Sequence, residues 1–295
     1  MRAYSNFSAD TFMTKLLRYI SFCLVLTACS ASHETVSLTI LHTNDTHSQV
    51  EPSEADNLGG YARRMGLIAK ERKSDPDLIL LDAGDFCQGT PYFNYYKGQV
   101  EIDAMNRMRY DAITLGNHEF DNGVDALAEQ LAKAEFEVLS ANYQAEESSL
   151  KGILKPYTII ERKGVKTGII GVNVNPESLI AADNFEPLIW RHPYPIADSL
   201  ALELKQNKGC DVVIVLSHLG TQPEKNNPNS ICDVNLAKQT SNIDLIIGGH
   251  SHRKENLTVC NKEGKQVLVV QAGNRGKNIG KVTLQVGLEQ KHLHN

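Results

Sequence analysis

Apolar residues recur along the first half of the chain in two alternating rhythms. Val36-Ser37-Leu38-Thr39-Ile40-Leu41 alternates like a strand and runs into the polar stretch His42-Thr43-Asn44-Asp45-Thr46-His47-Ser48. Asp45 and His47 are two apart, so in extended backbone they point to the same side, an arrangement suited to a shared ion. From Leu58 to Lys73, Leu58, Tyr61, Ala62, Met65, Ile68 and Ala69 fall at helical spacing, and Arg63, Arg64, Lys70, Glu71 and Arg72 read as a solvated face. Leu78-Ile79-Leu80-Leu81 is a continuous apolar run, the pattern of a fully buried strand, and it ends in Asp82-Ala83-Gly84-Asp85. A helix over 99–108, a strand over 111–114, a helix over 124–132 and a strand over 137–142 follow. Strand and helix alternating without a break predict parallel crossover units.

The rhythm then changes. Tyr157 to Arg162 and Thr167 to Val172 flank Lys163-Gly164-Val165-Lys166 as a hairpin would. A proline-rich loop leads to a helix over 196–206, and Asp211 to Leu216 is a buried strand ending at Ser217-His218. Pro223 to Asn229 is polar and rich in breakers, hence a surface loop. Ile243 to Ile247 ends in Gly248-Gly249-His250-Ser251-His252, and 266–271 and 281–286 read as closing strands. Short strands without helices between them predict a second, mixed sheet packed on the first.

Composition narrows the class. With 295 residues, 41% of them hydrophobic and 22% charged, the chain has material for one large α/β domain or two small ones. Its net charge is −5, and no stretch combines dense Lys/Arg with aromatics, so nucleic-acid binding has no electrostatic footprint. Arg2, Lys15 and Arg18 precede the apolar run Tyr19 to Leu26, which is laid out as an export signal and too short to span a bilayer. Met13 would make a more compact start to that signal than Met1. Leu26-Thr27-Ala28-Cys29 resembles the lipobox of bacterial lipoproteins, which implies a diacylglyceryl group on Cys29 and cleavage before it. An ordinary secretory signal cut near Ala28 or Ala31 is the alternative. Cys87, Cys210, Cys232 and Cys260 would remain, open to three disulfide pairings, with Cys87 and Cys210 beside apolar strands equally suited to be buried thiols.

The candidate chemistry is organised around Leu115-Gly116-Asn117-His118-Glu119-Phe120-Asp121, a polar turn after the strand over 111–114. Asn, His and Asp supply a neutral oxygen, a titratable imidazole and a carboxylate able to orient it. Asp45, His47, Asp85, Asn117, His218, His250 and His252 all fall at carboxyl ends of predicted strands, where open α/β sheets place their chemistry. One ion rarely takes so many ligands; two ions sharing a carboxylate would use them all. Imidazoles mixed with carboxylates favour zinc, manganese or iron over calcium. His42, His192, His292 and His294 receive no role.

Asn44-Asp45-Thr46-His47, Gly84-Asp85, Gly116-Asn117-His118-Glu119, Ser217-His218 and Gly248-Gly249-His250-Ser251-His252 resemble the five ordered motifs of calcineurin-like metallophosphoesterases. Gln88-Gly89-Thr90, Phe120-Asp121 and Gln271-Ala272-Gly273-Asn274 are similar to the 5′-nucleotidase and UDP-sugar hydrolase branch. The resemblance implies a four-layer α-β-β-α sandwich, two mixed sheets face to face with helices outside. It implies that Asp45, His47 and His252 hold one divalent metal, that Asn117, His218 and His250 hold a second, and that Asp85 bridges them. It gives His118 the part of a non-ligand imidazole that steadies the transition state and protonates the leaving oxygen, with Asp121 orienting it. The implied reaction is hydrolysis of a phosphate ester, with a nucleotide as the expected substrate, by in-line attack of metal-activated water. A broad phosphomonoesterase or phosphodiesterase, and a metal-holding subunit with little turnover of its own, are the alternatives.

The expected organisation is a signal peptide at 1–28, a tether at 29–36, a catalytic domain at 37–288 and a tail at 289–295. In that branch a separate C-terminal domain grips phosphate and nucleobase. The sequence ends at Asn295, so nucleotide specificity does not carry over, and a separately encoded C-terminal domain becomes an expected partner. Strong base preference in the chain on its own would instead place the specificity determinants in its loops, with Asn173 to Pro195 the first place to look. Lipid on Cys29 would anchor the exported protein to a membrane, with the outer membrane facing the periplasm as the expected location.

Overall fold

The continuous apolar runs reflect strands that are covered on both faces. In this computed structural model, which describes residues 34–288, β1 (Glu34–Thr43), β2 (Ile79–Asp82), β3 (Ala112–Thr114) and β4 (Glu137–Leu139) pair in parallel, with Ile40 beside Ile79 and Ile113 beside Val138. Helices α1 (Tyr61–Ser74), α2 (Pro91–Tyr96), α3 (Gln99–Met108) and α4 (Val124–Leu131) fall between them. The short strand β5 (Tyr143–Gln144) then leaves this sheet, and β6 (Leu154–Lys155) returns to its edge beside β4.

A hairpin, β7 (Tyr157–Arg162) and β8 (Val165–Val172), opens the second sheet across the turn Lys163-Gly164. Helix α5 (Ala182–Phe185), strand β9 (Ile189–Trp190), helix α6 (Pro193–Gln206), strand β10 (Val212–Ser217), helix α7 (Asp233–Gln239) and strands β11 (Leu245–Gly248), β12 (Lys254–Cys260) and β13 (Gln266–Ala272) follow, and β14 (Gly280–Leu288) crosses back to pair with β1. The sheets have strand orders β14-β1-β2-β3-β4-β6 and β12-β13-β11-β10-β8-β7, with antiparallel pairs at both edges of the second. Residues 35–288 form one compact unit.

Period-2 alternation assigns each strand's side chains to one of two cores. Leu38, Ile40, Ile79, Leu81, Ile214, Leu216, Leu245 and Ile247 meet between the sheets. The alternate positions face outward: Leu41, Leu80 and Ile113 pack under Ile68, Ile102 and Met105, while Val213, Val215 and Ile246 pack under Ala197, Ala201 and Leu236. The result is the expected α-β-β-α sandwich of two large mixed sheets flanked by helices.

Several boundaries differ from the sequence reading. β1 starts at Glu34, so the last three residues of the expected tether, Glu34 to Val36, are strand, lengthened by pairing with β14. α1 buries Tyr61, Arg64 and Ile68, while Leu58 lies outside the helix at 49% exposure. Arg64 is therefore not on a solvated face: its guanidinium lies 5.0 Å from the Tyr61 ring, and its charge offsets that of the buried Asp82 carboxylate. α2, α7 and β12 are elements the pattern did not indicate. Cys87, Cys210, Cys232 and Cys260 are free thiols, the first three buried. No helix among the described residues is long and apolar enough to cross a membrane. The expected signal peptide, Cys29 and the 289–295 tail lie outside the described residues.

The two sheets come into close contact where β8 passes β4. Gly171 accepts from Ala141 N at 2.8 Å, and a methyl group on Gly171 would collide with the Leu139 carbonyl, a backbone atom that cannot step aside. A methyl on Gly168, three residues earlier, would meet only the end of the Leu204 side chain at 2.8 Å. Gly171→Ala should lower stability by about 1–3 kcal/mol, the usual range for overpacking, whereas Gly168→Ala should cost less. Thermal unfolding of the two variants side by side checks that order.

Candidate metal centre

Each expected metal-binding or catalytic residue lies beyond a strand end, but the local backbone is not the extended one the spacing suggested. Asp45, His47 and Ser48 have φ of 49°, 46° and 50°, and Asp85 has 54°. Left-handed backbone at non-glycine residues costs about 1–3 kcal/mol each and persists only where neighbours impose it. Here Asp45 N, His47 N and Ser48 N donate to the carbonyls of Gly84, Asp85 and Phe86 at 2.8–3.0 Å, stitching the loop after β1 onto the loop after β2. The winding brings Asp45 and His47 to a common point by a route that alternation along an extended strand does not describe.

The loop after β3 is fixed from below by Glu119, which is 3% exposed. Its carboxylate accepts from Asp85 N and Cys87 N, each at 3.0 Å, and from Gly116 N. Burial raises its pKa to about 7. Gly116 has no room for a side chain, because a methyl there would run into the Asp85 carboxylate. Asp85 Oδ1 in turn accepts from His118 N at 2.9 Å. Glu119 stands in the Gly116-Asn117-His118-Glu119 motif with nothing in the pattern to mark this role; its burial is the signal, and that depends on tertiary structure.

Three groups of ligand-type atoms converge, each within 4.8 Å: Asp45, His47 and His252; Asp85, His218 and His250; and His47, Asp85 and His118. Asn117 joins the second through its Oδ1, 3.2 Å from His250 Nδ1. Asp45, His47, Asp85, Asn117 and His218 are buried, whereas the His252 side chain is 41% exposed. Both Asp45 oxygens accept from His250 N at 3.0 Å.

The donors suit divalent cations. His218 Nδ1 lies 2.6 Å from the Ala83 carbonyl, which accepts only from N–H, so the proton of a neutral ring sits on Nδ1 and the lone pair on Nε2. That lone pair faces Asp85 Oδ2 at 3.1 Å and Asp45 Oδ1 at 3.9 Å, an arrangement that is repulsive without a positive charge nearby. Burial opposes charging the ring, yet the two carboxylates raise its pKa to about 10. Asp85 shows the same demand: despite burial, His218 and its other imidazole neighbours hold its carboxyl below the usual range. His47 Nε2 and His252 Nε2 likewise stand 2.9 Å apart, two potential ligand atoms aimed at one spot.

His118 differs from these. It rides on a single 3-10 turn, His118–Phe120, with its side chain 32% exposed, and its Nδ1 lies 3.1 Å from Asp121 Oδ2. That hydrogen bond raises its pKa.

Four supporting residues carry no expected role. Asn274 Nδ2 lies 2.9 Å from His252 Nδ1, and Asn44 Nδ2 donates to Asp45 Oδ2 at 2.5 Å. Gln271 Oε1 accepts from Ser251 Oγ at 3.1 Å, and buried Asp233 accepts from Ser217 Oγ. Asn44, Gln271 and Asn274 stand inside quoted motifs; for Asp233 nothing in the sequence marks a role. Cys29 lies outside the described residues.

Comparison with known proteins places this geometry in a lineage. Residues 38–254 match the calcineurin-like phosphoesterase family. The snake venom 5′-nucleotidase of Crotalus adamanteus is 35% identical over 292 residues, covering 90% of this chain and 47% of that protein. The 5′-nucleotidase of Homo sapiens is 34% identical over 284 residues, covering 84% and 46%. The crystal structure of a 5′-nucleotidase precursor from Thermus thermophilus superposes with a TM-score of 0.76 at 36% identity, covering 86% of this chain and 53% of that one. The chain thus spans about half the length of these relatives. On the family match and these likenesses, it belongs to the calcineurin-like phosphoesterases, a family of metal-dependent phosphate ester hydrolases.

Proposed function

We propose that the cleft at the strand ends is a dimetal phosphohydrolase site acting on phosphate monoesters, with 5′-nucleotides as the substrate class. The observation that carries this reading is the pair of ligand clusters on either side of Asp85, with His118 and Asp121 beside them. The names of the relatives support the nucleotide assignment.

In this reading Asp45, His47 and His252 hold one divalent ion, Asn117, His218 and His250 hold the other, and Asp85 serves both. Bound there, the ions would draw a nucleophile from water at neutral pH and screen the phosphoryl oxygens. The chain's own residues do the rest. Backbone N–H groups of His118 and His250 fix the Asp85 and Asp45 carboxylates, so little reorganisation is left for the transition state. His118 donates a proton to the departing oxygen, and Asp121 keeps its ring oriented and more often protonated near neutrality. A metal-holding subunit without turnover would have no use for that His-Asp pair.

We also propose that Cys29 carries a lipid anchor that holds the exported protein at the outer membrane facing the periplasm, on the support of Leu26-Thr27-Ala28-Cys29 and the apolar run before it. Cys29→Ser should abolish lipid labelling and leave precursor or released protein on fractionation.

Asp85→Ala should cost both ions, since one carboxylate serves two centres. Elemental analysis should find well under one equivalent of metal, and two full equivalents would refute the assignment. His118→Ala should keep the metals and lower kcat by about 10²–10⁴, the range for a positioned acid. The loss should shrink with p-nitrophenyl phosphate, whose leaving group needs no proton; equal losses for good and poor leaving groups would show that His118 acts only on charge.

A further inference from the structure

The start of α1 carries the opposite charge to the one a helix start prefers. A helix N-terminus is the positive end of the dipole, and it favours acidic residues and side-chain caps. Here Gly60 offers no side-chain cap, and the first turn contains no acidic residue. Arg63 and Arg64 stand there instead and add two cations to the positive end.

Arg64 carries this imbalance into the interior. It is 3% exposed, and its buried Nε and Nη2 have no hydrogen-bond partner. The guanidinium lies 5.0 Å from the Tyr61 ring and packs against Gly276, where a methyl group would collide with it. Asp82 offsets part of the charge, but its carboxylate accepts from Thr43 Oγ1 and Gly84 N and not from the guanidinium. Buried N–H groups of a cation are costly to leave unbonded, so each one calls for a partner.

Beside this guanidinium is a pocket of about 120 Å³ between α1 and residues 276–279. Arg63, Arg64 and Lys277 line it, and no Asp or Glu does. Arg63 donates to two neutral acceptors, Asn57 O and, at 3.0 Å, Asn57 Oδ1, while Lys277 pairs with Asp56 outside the lining. Leu58, Leu67 and Ile279 form an apolar rim, with Leu58 and Leu67 exposed. None of the expected metal ligands lines the pocket, but its wall continues into the border of the metal centre. Arg275 N donates to Asp45 O at 2.6 Å, and Asn274 Nδ2 lies 2.9 Å from His252 Nδ1.

We propose that this pocket is a second, separate anion site, which takes a tetrahedral oxyanion of the phosphate or sulfate type, free or at the end of an apolar stem. Arg64 supplies buried N–H groups, Arg63 and Lys277 supply surrounding charge, and the end of α1 adds its dipole. Where the anion has a stem, the leucine rim covers it. Nothing in this assignment requires the metal centre to cleave a phosphate ester.

Sulfate and butanesulfonate are suitable probes, since neither is a phosphate ester. The full chain, with metal supplied, is melted over a concentration series of each, with sodium chloride holding the ionic strength constant. Sulfate also stabilises proteins by exclusion from their surface, an effect that grows without levelling off. Filling a site gives a rise in Tm that saturates, here at about 2–4 °C. Arg63→Glu should raise the concentration needed for half of that rise by about tenfold. Lys70→Glu makes the same charge change on the same helix outside the lining, and it should leave that concentration within twofold. Both side chains are exposed, so neither exchange disturbs the core. A tighter response to butanesulfonate than to sulfate would assign the site to an organic anion whose stem meets Leu58 and Leu67; an equal or weaker one would assign it to the free oxyanion. Selenate, which scatters X-rays anomalously, should give a peak among Arg63, Arg64 and Lys277 in soaked crystals. A wild type without a saturating response, a response that both exchanges shift alike, or selenate seated only at the metal centre would overturn the site.

Discussion

Two carboxylates withdrawn from water set the terms for this structure. Asp45 and Asp85 are 0% and 2% exposed, and both face the His218 ring. An isolated buried carboxylate is too costly to keep ionised, so it must be neutralised, paired or bound to a cation. Backbone N–H groups meet part of that need, those of His250 at Asp45 and His118 at Asp85. The remaining demand for positive charge is visible in the raised pKa of His218. Divalent ions would meet it more fully than one imidazolium can, and the positive charge the carboxylates would gather there is what a phosphoryl group requires.

Keeping those groups in place falls to residues that never touch the cleft. Glu119 gathers three N–H groups from the loops after β2 and β3 onto one buried carboxylate. Asn173 ties the second sheet to the first, donating through Nδ2 to Thr114 Oγ1 at 3.1 Å and to Leu115 O at 2.5 Å, just before the turn that carries Asn117. Left-handed backbone at Asp45, His47 and Asp85 is sustained because each of these loops is held by hydrogen bonds from its neighbour.

What the sequence made legible follows from which signals are local. Strands buried on both faces appear as unbroken apolar runs, so Leu78 to Leu81, Asp211 to Leu216 and Ile243 to Ile247 announce themselves, and so do the polar residues where each run stops. Five such ends carrying Asp, Asn and His were enough to indicate one shared centre. The turn conformations were not legible, since left-handed φ at His47 or Asp85 is imposed by the adjoining loop and not by its own residue type. Arg64 looked like its exposed neighbour Arg63, because what buries it is the packing of α1 onto the sheet, which helical spacing alone does not reveal. Glu119 and Asp233 were silent for the same reason: a charged residue reads as solvated until the fold encloses it. The loop from Pro223 to Asn229 is on the surface, as its composition said, but composition cannot tell which surface it borders.

The proposed ligand set also accounts for the use of two sheets. Asp45, His47, Asp85 and Asn117 follow strands of the first sheet, and His218, His250 and His252 follow strands of the second. Each proposed ion would therefore be held from both sides of the inter-sheet core, and the spacing of that core sets the distance between its ligands. Close approach of β4 and β8 at Gly171 and the Asn173 contacts hold the sheets at that spacing next to the strand ends that carry the ligands. Charge neutralisation at the strand ends and packing between the sheets are consequently coupled: unneutralised, Asp45 and Asp85 press the ends apart, and an overpacked core would spread the ligands. A fold built this way would lose stability with its proposed ions removed and would loosen the centre with its core disturbed, so the two requirements bear on the same few contacts.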